Sequence, residues 1–186
     1  MSNTNLWTPR NYERGEKIYK IGDVSSKIYR VVDGLVKEDY LTEDGRQFSI
    51  PHIRGDCFGL DGLSNNLRTS ETFAIKKSVI EDLDVVNILE YFKTAPEEAY
   101  DLFREVAVRY TESNIIRQKM LYENVEDRVL SILRHISQGN GGVSVRMSDI
   151  GEFIGSTRET ANKMVLSLLQ RRMIAKIDGV IKVLED

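Results

Sequence analysis

The segment from Met147 to Arg172, M-S-D-I-G-E-F-I-G-S-T-R-E-T-A-N-K-M-V-L-S-L-L-Q-R-R, constrains this chain more than any other. Ile150, Phe153 and Ile154 stand at i, i+3 and i+4, the apolar stripe of a short helix. Gly155 breaks the pattern, and Ser156-Thr157 is a strong N-cap signal for a second helix. In that helix Ala161, Val165, Leu168 and Leu169 share one face, while Arg158, Asn162 and Lys163 lie off it. Two short helices joined by a tight turn containing glycine form a helix-turn-helix pattern. Beyond Met173-Ile174, the run A-K-I-D-G-V-I-K-V-L sets Asp178-Gly179 between two β-rich stretches. A type I′ turn needs positive φ at both central residues, and Asp-Gly meets that need. A helix-turn-helix followed by a hairpin is a winged helix, and the combination is far more specific than either half.

The charges point to a partner. From Thr157 to Arg172 the bases are Arg158, Lys163, Arg171 and Arg172, opposed only by Glu159. Arg158 and Glu159 fall in the first turn, where a recognition helix offers side chains to base edges in the major groove. Arginine grips the O6/N7 pair of guanine with two bonds, and glutamate accepts from the N4 amine of cytosine. The plainer alternative is a solvated basic face on an ordinary helix pair. The whole chain carries a net charge of −3, so it is not a basic coat for nucleic acid, and the local excess of bases is the informative part.

With 186 residues, 41% of them apolar, the chain can build one large or two small cores. Cys57 is the only cysteine, which rules out an intrachain disulfide and suits a reducing cytoplasm. It reads as a small core residue, with a redox role as the alternative. No run approaches the roughly 18 apolar residues of a membrane span, and the N-terminal stretch M-S-N-T-N-L-W-T-P-R lacks the apolar centre of a signal peptide. The expectation is a soluble cytoplasmic protein with no membrane contact.

Residues 12–92 read as short strands punctuated by glycine. Gly22, Gly34, Gly45 and Gly55 recur at intervals of 12, 11 and 10 residues. Between and after them lie the β-rich runs Lys27–Val32, Leu35–Leu41, Gln47–Ile53, Thr72–Ile75 and Val79–Leu83. Regular short strands with turn signals suggest a barrel or jelly roll, and Asp33-Gly34 and Asp44-Gly45 read as hairpin turns of the same kind as Asp178-Gly179. The residues G-D-x-x-x-x-I-Y-R-V-V-D-G-L-V-K, E-D-G-R-Q and I-R-G-D-C-F-G, with landmarks Gly22, Tyr29, Gly34, Gly45, Gly55, Asp56, Phe58 and Gly59, resemble the cyclic-nucleotide-binding β-roll of the Crp–Fnr family of bacterial transcription regulators. The run G-S-T-R-E-T-A-N-K is similar to that family's recognition-helix signature. The resemblance extends from about Tyr12 to Val183 and implies an α+β chain: a jelly-roll-like β-roll sensor domain over 1–95, a long dimerisation helix over 96–124, and a winged helix-turn-helix over 125–186.

Pro96 followed by two acids is a good helix start, and the helical pattern runs to about Tyr122. Taking Ala99, Val106, Ser113 and Met120 as one heptad position puts Leu102, Arg109, Ile116 and Glu123 at the other. That allows a coiled-coil-like seam with a polar centre, or an amphipathic helix packed on its own domain. The resemblance implies the first, a parallel dimer whose interface includes Leu102, Val106, Ser113, Ile116 and Met120. A dimer suits a recognition helix, because two copies one DNA turn apart read a two-fold-related site.

The effector pocket departs from the cAMP-binding relatives. They carry a glutamate for the ribose after the F-G pair and an Arg–Ser pair for the phosphate, whereas this chain reads F-G-L-D-G-L-S-N-N-L-R-T-S-E. Leu60 stands where Glu is expected and cannot accept a hydroxyl hydrogen bond. Arg68 falls close to the phosphate position, an ungapped match puts Thr69 there, and Ser70 follows. The pocket expected by resemblance comprises Gly59, Leu60, Arg68, Thr69, Ser70 and, from the long helix, Ser113, Asn114 and Arg117. The readings left open are an oxo-acid or other small anion, no effector at all, and a cyclic nucleotide held by a shifted Arg68. An iron–sulfur sensor needs several thiolates and a haem or metal sensor needs a set of ligands, and one cysteine with two isolated histidines, His52 and His135, supplies neither. The same shortage argues against a cupin-like enzyme, so no catalytic residue, metal or cofactor is expected. A module that regulates a partner protein through bound nucleotide would show an intact Glu/Arg pocket and no winged helix, the reverse of this sequence.

By resemblance Arg158, Glu159 and Lys163 are the base readers, on a palindrome with half-sites related to T-G-T-G-A. Lys163 replaces the more usual arginine and lacks its two-pronged fork. Arg146, Ser148, Ser156, Thr157 and Thr160 are expected on the DNA backbone, as helix starts are. Lys176 and Lys182 on the wing either touch phosphate or keep the hairpin soluble. Double-stranded DNA and a second copy of the chain are the expected partners, with RNA polymerase as a further candidate.

Overall fold

The structure, a computed structural model, describes residues 6–41, 45 and 47–184, with the backbone alone at 109, 112–114, 116–122 and 140. The glycine-punctuated half forms β1 (Thr8–Tyr12), β2 (Lys17–Tyr19), β3 (Lys27–Asp33), β4 (Val36–Leu41), β5 (Gln47–His52), β6 (Cys57–Phe58), β7 (Glu71–Ala74) and β8 (Ser78–Asp84). After them come α1 (Ile88–Thr94), α2 (Pro96–Tyr122), α3 (Val125–Asn140), α4 (Met147–Phe153), α5 (Arg158–Gln170), β9 (Ile174–Ile177) and β10 (Val180–Val183).

Two antiparallel four-stranded sheets, ordered β1-β8-β3-β6 and β2-β7-β4-β5, make the roll. Both contribute to one aromatic core: Tyr19 and Val36 from one sheet pack with Tyr29, Val31, Phe58 and Ile80 from the other. The β-rich runs of the sequence agree with β3, β4, β5, β7 and β8 to within one residue at each end. At Asp33-Gly34 only the glycine takes positive φ (107°), and Asp33 stays in its strand, so this corner is not a type I′ turn. Asp44 lies outside the described residues. The wing turn behaves as expected, with φ of 50° at Asp178 and 81° at Gly179.

The first turns of α2 close one end of the roll. Ala99 and Leu102 are buried with Trp7, Ile28, Cys57, Leu83 and Tyr91, and Val106 packs beside them. Helix α3 begins at an N-cap, where the Asn124 side chain accepts from the Asp127 amide at 3.0 Å. Its apolar stripe, Val129, Leu130, Ile132, Leu133 and Ile136, forms a second core with Ile150, Phe153 and Ile154 of the α4 region. Ala161, Val165 and Leu168 of α5, and Ile174 and Ile181 of the wing, complete it.

That second core does not stop at the winged helix. Leu35 and Ile53 of the roll belong to it. A Cβ on Gly139 would lie 2.8 Å from the Ile53 Cβ, so α3 reaches the roll here only because residue 139 has no side chain. Charge reinforces the contact. Lys37 on β4 is 6% exposed, and its amine lies 2.5 Å from Glu152 Oε2, 3.2 Å from Asp39 Oδ2 and 3.8 Å from Asp149 Oδ1. Burial alone would push this amine down, but the bond to Glu152 and the field of Asp39 outweigh it, and Lys37 stays above its usual value and charged. Helix α4, the first of the helix-turn-helix, is thereby tied to a strand of the roll.

Removing one member of a buried charge cluster leaves the others uncompensated. Lys37→Met is therefore expected to lower the unfolding free energy by about 3 kcal/mol, read by urea denaturation. Glu152→Gln should cost less, since Glu152 is partly exposed and Lys37 keeps Asp39.

Candidate functional site

Two sites follow from this frame. The first is the start of α5. Thr157 is its N-cap, its Oγ1 accepting from the Thr160 amide at 3.1 Å, and Gly155 (φ 63°) makes the turn from α4. With Ala161, Val165 and Leu168 turned inward, Arg158, Glu159, Asn162 and Lys163 are left exposed on the outer face. At about 100° per residue, Asn162 lies between Arg158 and Lys163 on that face. It was not among the expected readers, although its i+4 spacing from Arg158 was legible. The Glu159 carboxylate is held below its usual range by its own backbone N–H at the helix start and by Thr157, so it stands ionised, an acceptor only.

The expected backbone contacts are less uniform. Thr157 and Thr160 are exposed or half-buried with their hydroxyls 3.1 Å apart, and Ser148 and Ser156 are half-buried. The Arg146 side chain is 63% exposed, but its guanidinium donates to both oxygens of Asp149, at 3.0 and 3.1 Å. Arg171 donates to Glu126 on α3, so the surplus of bases counted along α5 is partly neutralised in the fold. Lys176 and Lys182 are exposed on the wing.

The second site is inside the roll. Gly59 adopts φ 67°, and a Cβ there would lie 2.9 Å from the Tyr29 ring and 3.0 Å from Arg68 Nη1. Leu60 opens a 3₁₀ turn, Leu60–Leu63, and packs on the core that holds Trp7 and Leu102. Arg68 is buried, its guanidinium 4.4 Å from the Tyr19 ring centre and 5.5 Å from that of Tyr29. Nη1 donates to Asp61 Oδ1 at 2.5 Å and to the Gly59 carbonyl at 2.8 Å, and Nη2 donates to the Lys27 carbonyl. Thr69 turns to the same carboxylate, and Ser70 donates to Glu38 Oε1 at 2.6 Å. Ser113, Asn114 and Arg117 lie on α2, but their side chains fall outside the described residues, as do those of Ile116 and Met120. Leu102 and Val106 are described, and both pack on the chain's own core.

Glu38 was not singled out in the sequence, yet it centres the roll's polar interior. It accepts from the Tyr19 hydroxyl at 2.9 Å and from Ser70, and its second oxygen lies 2.8 Å from His52 Nε2. Burial would raise its carboxyl, but His52, Ser70 and Tyr19 together pull it down to about 2. Its neighbours Tyr19 and Tyr40 shift upward, chiefly through burial. Among the described residues no three His, Cys, Asp or Glu side chains gather to hold a metal, and no helix is long and apolar enough to cross a membrane.

The family profile of the cyclic nucleotide-binding domain matches residues 9–94, the roll together with α1. Among curated proteins, the electron transport regulator A of Shewanella oneidensis is 24% identical over 177 residues, 90% of this chain and 70% of that protein. The CRP-like cAMP-activated global transcriptional regulator of Mycobacterium tuberculosis is 26% identical over 183 residues, 92% of this chain and 81% of that one. Among solved structures, FixK2 of Bradyrhizobium japonicum shares the fold with a TM-score of 0.80 at 21% identity, over 96% of this chain and 93% of that chain.

A carboxyl lowered by folding stabilises the fold above its unfolded value, and the contribution is lost as pH falls through the folded one. Acid titration should therefore remove stability between pH 4.5 and about 2 as Glu38 takes a proton. In Glu38→Gln, thermal unfolding should start from a lower midpoint at neutral pH and fall less steeply across that window.

Proposed function

We propose that the chain is a member of the Crp–Fnr family, as the domain match, the relatives and the shared fold support, and that it is a homodimeric, sequence-specific DNA-binding transcription regulator and not an enzyme. The observation that carries the reading is the outward stripe at the start of α5. Arg158, Glu159, Asn162 and Lys163 are exposed together on a helix whose opposite side is locked into the core. Such a helix start fits the major groove, with Arg158 and Lys163 donating to guanine, Glu159 accepting from cytosine and Asn162 suited to adenine. Arg146, Ser148, Ser156, Thr157 and Thr160 surround this stripe as the backbone-positioning set. Acting from a palindromic site in the cytoplasm, the dimer would work through RNA polymerase. The division into residues 1–95, 96–124 and 125–186 is part of this proposal.

For the pairing surface we propose a face of α2 other than the one at Leu102 and Val106 that the resemblance implies. Leu102 has little surface left for a partner, at 6% exposed, whereas Phe103 and Tyr110 are 64% and 69% exposed. With Ala107 between them, these residues follow the 4-3 spacing of a coiled-coil seam. We assign the N-terminal part of the dimer contact to Phe103, Ala107 and Tyr110. Ser113, Ile116 and Met120 remain candidates further along the helix.

Selection from a random duplex pool is expected to recover a palindrome with half-sites about 10 base pairs apart. On that duplex Arg158→Ala should cost roughly 1–3 kcal/mol, with a much smaller loss on scrambled DNA. Equal losses on both would remove Arg158 from base reading. Phe103→Asp with Tyr110→Asp should give monomers by light scattering, and a variant that stays dimeric would sink the proposed seam.

A further inference from the structure

The roll holds an arginine placed to grip an anion, and the chain itself supplies one. The Arg68 side chain is 1% exposed and meets the Asp61 carboxylate at 2.5 Å. The other oxygen of Asp61 accepts from the Thr69 amide at 3.3 Å and from the Thr69 hydroxyl at 3.4 Å. Ser70, the next donor along, is directed to Glu38 and not to this point. Among the described residues, Arg68 and Thr69 donate to Asp61, Arg68 also to the Gly59 and Lys27 carbonyls, and Ser70 to Glu38.

We infer that Asp61 is a built-in anion: its carboxylate occupies the anion position beside Arg68 and Thr69, so the roll reaches its working conformation without an anionic effector. The physics supports the assignment. A guanidinium this deeply buried needs a counter-charge and full hydrogen bonding, and the tyrosine ring beside it adds no negative ion of its own. Asp61 is only seven residues from Arg68, so it competes as a tethered group whose effective concentration is roughly millimolar or higher. A free phosphate or carboxylate would have to displace it and would share one guanidinium with a second negative charge. Leu60, packed against the apolar core, stands where the resemblance puts the ribose-binding glutamate and offers no side-chain acceptor there. This inference rests on the regulator reading only for its consequence, DNA binding without an added ligand. The pocket chemistry stands apart from it.

The test is the thermal unfolding of the full chain in chloride, acetate, inorganic phosphate, 2-oxoglutarate and cAMP at matched ionic strength. Wild type should show the same midpoint in all five. Asp61→Ala should melt lower, by roughly 5–10 °C. Acetate or phosphate at tens of millimolar should restore at least half of that loss, because a free anion now fills the vacated position. Saturable stabilisation of the wild type by any of the four ligands would show the site open and overturn the inference. An Asp61→Ala protein that no anion moves would overturn it equally. If that variant does not fold, Asp61→Asn, which keeps the shape and removes the charge, carries the same comparison, and the wild-type arm needs no variant. A parallel DNA titration separates the two claims. Failure of the wild type to bind any duplex would remove the regulator reading and leave the anion result standing.

Discussion

Strand Val36–Leu41 is covered on both faces, and the arrangement of the two halves depends on it. Val36 packs among the aromatic rings of the roll, and Glu38 meets Tyr19, Ser70 and His52. Lys37 reaches Glu152 and Asp149 on α4. One strand therefore carries the polar centre of the roll and the charged contact to the helix-turn-helix. Because α4 sits against β5 and shares a core with α5, fixing α4 also fixes the direction in which Arg158, Asn162 and Lys163 point.

Rings and paired charges of the chain fill much of the interior of the roll. Stacked rings of Tyr29, Phe58 and His52 fill its width, and two carboxylates, the partly buried Asp61 beside Arg68 and the buried Glu38 beside His52, find their partners within the chain. Each centre is closed by hydroxyl or amide donors from the chain segment Thr69-Ser70, so a single short stretch satisfies both.

Much of the fold was legible because its signals are local. Glycine spacing and alternating β-branched runs located β3, β4, β5, β7 and β8. Pro96 marked the first residue of α2, and Asp178-Gly179 marked the wing. Other features depend on contacts far apart in sequence and left no local trace. Strand β1, T-P-R-N-Y, is mostly exposed and shows no apolar alternation, and it forms by pairing with β8 some seventy residues later. The run K-E-D in β4 reads as solvated, yet all three residues are buried because their partners arrive from β2, β5 and α4. The heptad pattern of α2 fitted either a dimer seam or packing on its own domain, and only the packing of Leu102 against Trp7 and Leu83 shows which side is already covered. At α5 the cap, the turn and the outward residues were readable from sequence, whereas the pairing of Arg171 with Glu126 was not.

On the function and the built-in anion proposed above, a preset roll presents α5 to DNA without waiting for a signal molecule. The most direct measurement is a fluorescence-anisotropy titration of the purified chain, with nothing added, against a T-G-T-G-A palindrome or the duplex recovered by selection, and against a scrambled control. It belongs at near-physiological salt, because phosphate-driven affinity changes steeply with ionic strength. The account predicts binding to the selected duplex at least about 1,000-fold tighter than to the control, unchanged by cAMP or 2-oxoglutarate. Equal affinity for both duplexes, or selectivity that emerges only when one of those ligands is added, would contradict it.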